Sequence, residues 1–71
     1  MKTTDKQKQM CDIIITQAKF WKNSNDIKSP THMSDIDEEF YSNDINLDDE
    51  KYMNVYNKLY DLYWAIRELE S

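Results

Sequence analysis

The residues able to do covalent or acid–base chemistry are few. The 71-residue chain has one imidazole, His32, one thiol, Cys11, and no glycine. His32 stands beside Pro30 in a polar stretch, the setting of an exposed or helix-capping histidine. Cys11 falls on the apolar stripe of an amphipathic segment, where a thiol is a buried and inert small hydrophobe. Asp44, Asn46, Asp48 and Glu50 alternate as calcium-loop oxygens do. That loop needs a central glycine and a closing bidentate Glu, and Val55 stands where the Glu should be. Asp37 and Glu38 are adjacent carboxylates, the residue type used in general acid–base work, but no aromatic-lined cleft can be inferred around them. The lack of glycine removes phosphate-cradling loops and the nucleophile elbow. A single cysteine excludes an internal disulfide and any CxxC site, and fits a reducing compartment. The expectation is a non-enzyme with no catalytic, metal or cofactor-binding residue.

The carboxylates are better read together. Residues 1–34 carry a net charge of +3, residues 35–50 a net −8 and residues 51–71 a net of zero, for −5 overall. Asp35, Asp37, Glu38, Glu39, Asp44, Asp48, Asp49 and Glu50 make up the central block, which has no basic residue. On a continuous helix this would place one charge per roughly 3 Å of axis, close to the ~3.4 Å of a DNA strand. Such a block is either a solvated run that caps helices or a surface steered onto a basic cleft. The lysines of residues 1–34 are scattered and the sequence pI is about 4.6, so direct nucleic-acid binding is not expected.

These residues need elements to hold them. Thr4 and Gln7 have the spacing of a capping box. Cys11, Ile14, Ala18 and Trp21 then follow at helical spacing, widened by Met10 and Ile15, and predict a helix over about 5–22. An Asn after it must supply any left-handed cap. Residues 23–34 read as a connector. Ser34 is placed to cap a short helix over about 35–42, with Ile36 and Phe40 facing inwards. Asp48 is placed to cap a last helix over about 49–70, with Leu47 and Tyr52 as a staple. Tyr52, Val55, Leu59, Leu62, Ile66 and Leu69 form a heptad-like seam on it. The expected fold is all-α: one helical domain over 1–71, two long helices as a hairpin and the short third helix packed across it. The uncharged run 13–18 is only six residues long, so neither a membrane span nor a signal peptide is expected.

The last helix has more apolar surface than one stripe needs. Met53, Tyr60 and Trp64 form a second stripe beside the seam, and Tyr41 sits among the acids. Either the short helix covers that stripe or it is a partner or dimer surface. A small, acidic, glycine-free helical chain rich in Asn, Lys, Ile, Asp and Tyr resembles the inhibitors that phages encode against host defences, the anti-CRISPR and anti-restriction proteins. The likeness is in size, charge and composition. It implies a stoichiometric binder in the cytoplasm of a bacterial host cell, which occludes a basic, nucleic-acid-binding surface of a host protein. The acidic block and the apolar group Tyr41, Met53, Tyr60 and Trp64 are the expected contact residues. The alternatives are a self-associating helical module, with a homodimer built on the seam and second stripe, or an antitoxin or immunity protein.

Overall fold

The computed structural model describes residues 2–70, and among these there are helices and no strand. Helix α1 is Asp5–Asn23, α2 is Thr31–Ser42 and α3 is Glu50–Arg67, with a short 3₁₀ turn at Glu68–Glu70. Each start and stop has a local cause. The Thr4 hydroxyl accepts from the Gln7 amide at 3.1 Å, and the Gln7 side chain accepts from the Thr4 amide at 2.9 Å, so the expected capping box is complete. Helix α1 ends at Ser24 in extended geometry, without a left-handed Asn.

Helix α2 begins four residues earlier than the sequence pattern suggested. Pro30, not Ser34, occupies the N-cap position and has no side-chain cap bond. Proline suits a helix start, because its missing N–H would be an orphan there anyway. Ser29 keeps the turn closed by accepting from the His32 amide. The C-terminal end of α2 carries the left-handed residue that the sequence reading put after α1. Asp44 has φ of 56°, the only positive φ among the described residues. Its amide donates to the Tyr41 carbonyl, and the Ile45 amide donates to the Phe40 carbonyl. That pair of bonds is a Schellman closure, and the buried side chains of Phe40 and Ile45 supply its apolar contact. Asp49 rather than Asp48 caps α3, accepting from the Lys51 amide at 3.0 Å.

The helices run up, down and up. Gln17 donates to the Asp35 carbonyl and Gln9 to the Asn43 carbonyl, which sets α2 antiparallel to α1. Tyr63 reaches the Ile27 carbonyl and Tyr60 the Met33 carbonyl, which sets α3 antiparallel to α2. Lys6 lies over Tyr52 at one end and Trp21 packs on Tyr63 at the other, so α1 and α3 are parallel neighbours. The twelve residues of α2 return the chain to its starting end. The sequence reading expected a hairpin of the long helices instead.

The core is Met10, Ile13, Trp21, Ile36, Phe40, Ile45, Leu59 and Tyr63. The buried arc of each long helix is rotated from its strongest apolar stripe. On α1, Ile13 and Gln17 point inwards, while Cys11 and Ala18 face solvent and Ile15 is 51% exposed. On α3, Leu62 and Ile66 are exposed, as is Leu69 in the 3₁₀ turn that follows, and the tyrosines beside them are turned in. The cause is the tyrosine hydroxyls. Tyr56, Tyr60 and Tyr63 all reach acceptors on α2 or the connector, and this fixes which side of α3 faces α2. The radius of gyration is 12.7 Å, against about 11 Å for a compact chain of this length, and the extents are 38 × 26 × 18 Å.

Candidate functional site

The acidic block divides between internal and external duties. Asp37 faces α3, where its Oδ1 accepts from the Tyr56 hydroxyl. The Tyr60 hydroxyl lies 2.9 Å from the Met33 carbonyl and 3.3 Å from the same Asp37 oxygen, its one proton shared between them. Burial, then the hydrogen bond to Asp37, hold the Tyr56 hydroxyl well above the ordinary tyrosine range. Burial pushes Tyr60 up as well. Asp35 is half-buried, gives its carbonyl to Gln17 and has a carboxylate oxygen 4.0 Å from His32 Nδ1. Glu39 is half-buried, and its carbonyl accepts from Ser42 and Asn43. Asp49 caps α3.

Glu38, Asp44, Asp48, Asp49 and Glu50 remain exposed. They run from the outer side of α2, around the corner of residues 43–49, into the first turn of α3. Among the described residues none of the eight acids of the block pairs with a Lys or Arg, and the His32–Asp35 approach is their one ionic contact. Tyr41 lies three residues beyond Glu38 on the outer side of α2 and is 70% exposed. Acids and an aromatic ring therefore share one rim.

The second apolar stripe does not stay together. Tyr60 and Met53 are half-buried, Tyr60 against Tyr56 at 4.9 Å between rings. Phe40 meets Tyr56 edge-on at 5.3 Å. Met33, Asp37 and Phe40 of α2 thus face this side of α3, while Tyr41 turns away. Trp64 is 40% exposed at the other end of α3, with the Arg67 guanidinium stacked 4.3 Å from its ring. Tyr41 and Trp64 remain available to a partner, at separate places.

His32 and Cys11 exchange the environments expected of them. His32 is 7% exposed, held by Ser24 Oγ at 2.8 Å and packed near Tyr63, so it pins the connector to α2. Its early position in α2 explains this, since a helix that starts at residue 31 carries residue 32 inwards. Cys11 is exposed. Among the described residues no three His, Cys, Asp or Glu side chains gather as a metal site, and no helix is long and apolar enough to cross a membrane. The sequence reading missed the polar clamp of Asp37 and the tyrosines. The 56, 60, 63 spacing opposite an acid four residues before Tyr41 was its available signal.

The fold and this rim define an all-α, three-helix protein with five exposed acids of the central block around one corner. Comparison with protein-family models, curated proteins and solved structures gave no match.

Proposed function

We propose that the chain is a non-enzymatic binding protein whose acidic corner docks on a basic surface of a partner protein. The observation that carries this reading is the exposed, unpaired set Glu38, Asp44, Asp48, Asp49 and Glu50 beside the exposed Tyr41 ring. A field of one sign speeds encounter with an opposite cleft, and an aromatic at its edge supplies the apolar anchor that charge alone lacks. A basic cleft that normally holds nucleic acid is the best-matched target. Occluding it would make the chain an inhibitor of the phage anti-defence kind. Asp35 and Asp37 act in this reading by holding α2 in place, and Trp64 with Arg67 is an accessory contact.

The test is affinity capture from a bacterial lysate followed by a salt series on the captured pair. Affinity should fall steeply between 50 and 300 mM NaCl, in roughly the way charge-dominated contacts do. The quadruple variant Glu38→Gln, Asp44→Asn, Asp48→Asn, Glu50→Gln should lose capture and keep its far-UV circular dichroism. Binding that is indifferent to both salt and these substitutions would overturn the proposal.

A further inference from the structure

A second surface of opposite character lies on the far side of the molecule from α2. On α1, Cys11, Ile14, Ile15 and Ala18 fall within about 100° of arc at 100° per residue. On α3, Val55, Leu62 and Ile66 fall within about 40°, and Leu69 follows one turn on. Gln9 and Gln17 fix the side of α1 that meets α2, and Tyr56 and Tyr60 do the same for α3. Continuing around each helix past their mutual contact brings both apolar arcs to the same outer face. Ile15, Leu62, Ile66 and Leu69 are 51%, 47%, 36% and 77% exposed there. Between the first turns of α1 and α3 the face opens into a groove of about 380 Å³, lined by Lys6, Gln7, Met10, Asp49, Lys51, Tyr52 and Val55.

The edges of this face are basic although the chain is acidic. Lys8 and Lys19 flank the apolar arc on α1, with Asp12 just beyond Lys19 and Lys22 inside the C-terminal end of the arc, and Lys51 and Lys58 flank it on α3; all five lysines are exposed. Lys51 and Lys58 are seven residues apart, as are Val55 and Leu62. Lys8, Ile15 and Lys22 also repeat at seven. An apolar floor with lysines along both banks is the complement of one kind of ligand. A second copy laid face to face would set lysine against lysine. An amphipathic helix with an apolar stripe and acidic flanks would find a partner for each of its sides.

We infer that the α1–α3 face is a docking groove for an acidic amphipathic helix of another protein. The helix completes a four-helix arrangement in the space between the parallel pair. This surface touches the acidic corner at Asp49, which the quadruple acidic-corner variant keeps, so either reading can fail without the other.

The probe is a fluorescein-labelled three-heptad peptide of about 21 residues, with Leu at a and d and Glu at the flanking positions. A control peptide carries Lys in place of Glu. The intact protein should bind the Glu peptide at least about tenfold more tightly than the Lys peptide, and the peptide should slow alkylation of Cys11. Leu62→Glu and the charge reversal Lys22→Glu/Lys58→Glu should each weaken binding about tenfold or more with the fold intact, because all three positions are exposed. The quadruple acidic-corner variant should bind the Glu peptide as the parent does. Equal binding of both peptides, or no loss in Leu62→Glu, would overturn the inference. So would a dimer in sedimentation that Leu62→Glu abolishes, which makes a second copy the occupant. Preferential binding to anionic phospholipid vesicles would likewise overturn it and make the face a membrane contact.

Discussion

Asp37 shows how one carboxylate can be taken out of an acidic surface by its neighbours. Its Oδ1 holds the Tyr56 hydroxyl and is shared with Tyr60, so it ties the middle of α2 to the middle of α3. Removing it leaves the half-buried Tyr56 hydroxyl short of its acceptor, while Tyr60 keeps the Met33 carbonyl, and the loss costs about 1–3 kcal/mol. Asp37→Ala should therefore lower stability by that amount in urea unfolding, while Asp37→Asn, which keeps an acceptor oxygen, should lose less. Glu38→Ala, on the exposed side, should change stability by under about 0.5 kcal/mol. The same cluster sets an alkaline limit. Tyr56 and Tyr60 have folded pKa values raised above the unfolded one near 10. The folded state therefore favours their protonated forms. The stability they supply is complete below pH 10 and falls as pH rises above it, where the unfolded chain ionises and the folded one resists. Urea midpoints measured from pH 8 to 12 should drop beyond pH 10, and Tyr56→Phe/Tyr60→Phe should flatten that drop.

At the scale of elements, the corner after α2 is built without the residue that usually builds it. Asp44 takes the left-handed position of the Schellman closure at φ 56°. A non-glycine residue there is strained, and Asp tolerates it better than most. Asp44→Gly relieves the strain at some entropic cost to folding, because glycine gives the unfolded chain more freedom to lose. It should raise stability by about 0.5–1 kcal/mol, or several degrees in Tm by calorimetry. Asp44→Val should lower both, since a β-branched residue fits that geometry worst. The position of this corner was not legible in the sequence, because Asp and Asn occur throughout residues 43–49 and any of them can turn the chain. The capping box at Thr4 was legible, since its two bonds are local. The inward faces of α1 and α3 were only half legible. Hydrophobicity alone points to Cys11, Ala18, Leu62 and Leu69, whereas Gln17 and the tyrosine hydroxyls make cross-helix bonds that a hydrophobic stripe does not register. The helix pattern thus gave the number and approximate span of the elements, and side-chain hydrogen bonds gave their rotation. Of the eight candidate acids, Glu38, Asp44, Asp48, Asp49 and Glu50 are exposed, while Asp35, Asp37 and Glu39 are half-buried. The apolar four were divided, with Tyr60 and Met53 half-buried.

Over the whole molecule, the densest run of exposed acids lies at the α2 corner, with further exposed acids such as Asp12 on α1 and Asp61 on α3. That density has an energetic consequence independent of any partner. Glu38, Asp44, Asp48, Asp49 and Glu50 repel one another across a short stretch of surface, by a few tenths of a kcal/mol for each close pair. Screening weakens this repulsion, since the Debye length falls from roughly 30 Å at 0.01 M salt to about 3 Å at 1 M. A fold limited by such repulsion should gain stability on the order of 0.5–1 kcal/mol between 20 and 500 mM NaCl. The quadruple variant Glu38→Gln, Asp44→Asn, Asp48→Asn, Glu50→Gln should start from a higher urea midpoint and gain less from salt. Partner binding through the same corner has the opposite dependence, weakening with salt and vanishing in the variant. If the acids merely kept a helical bundle soluble, removing them would alter neither partner affinity nor its salt slope. A corner that destabilises its own fold yet is required for capture is what a surface kept for binding produces. Parallel salt series on unfolding and on the captured complex, run for parent and variant, give the two slopes. Slopes of the same sign would refute the functional assignment of the corner.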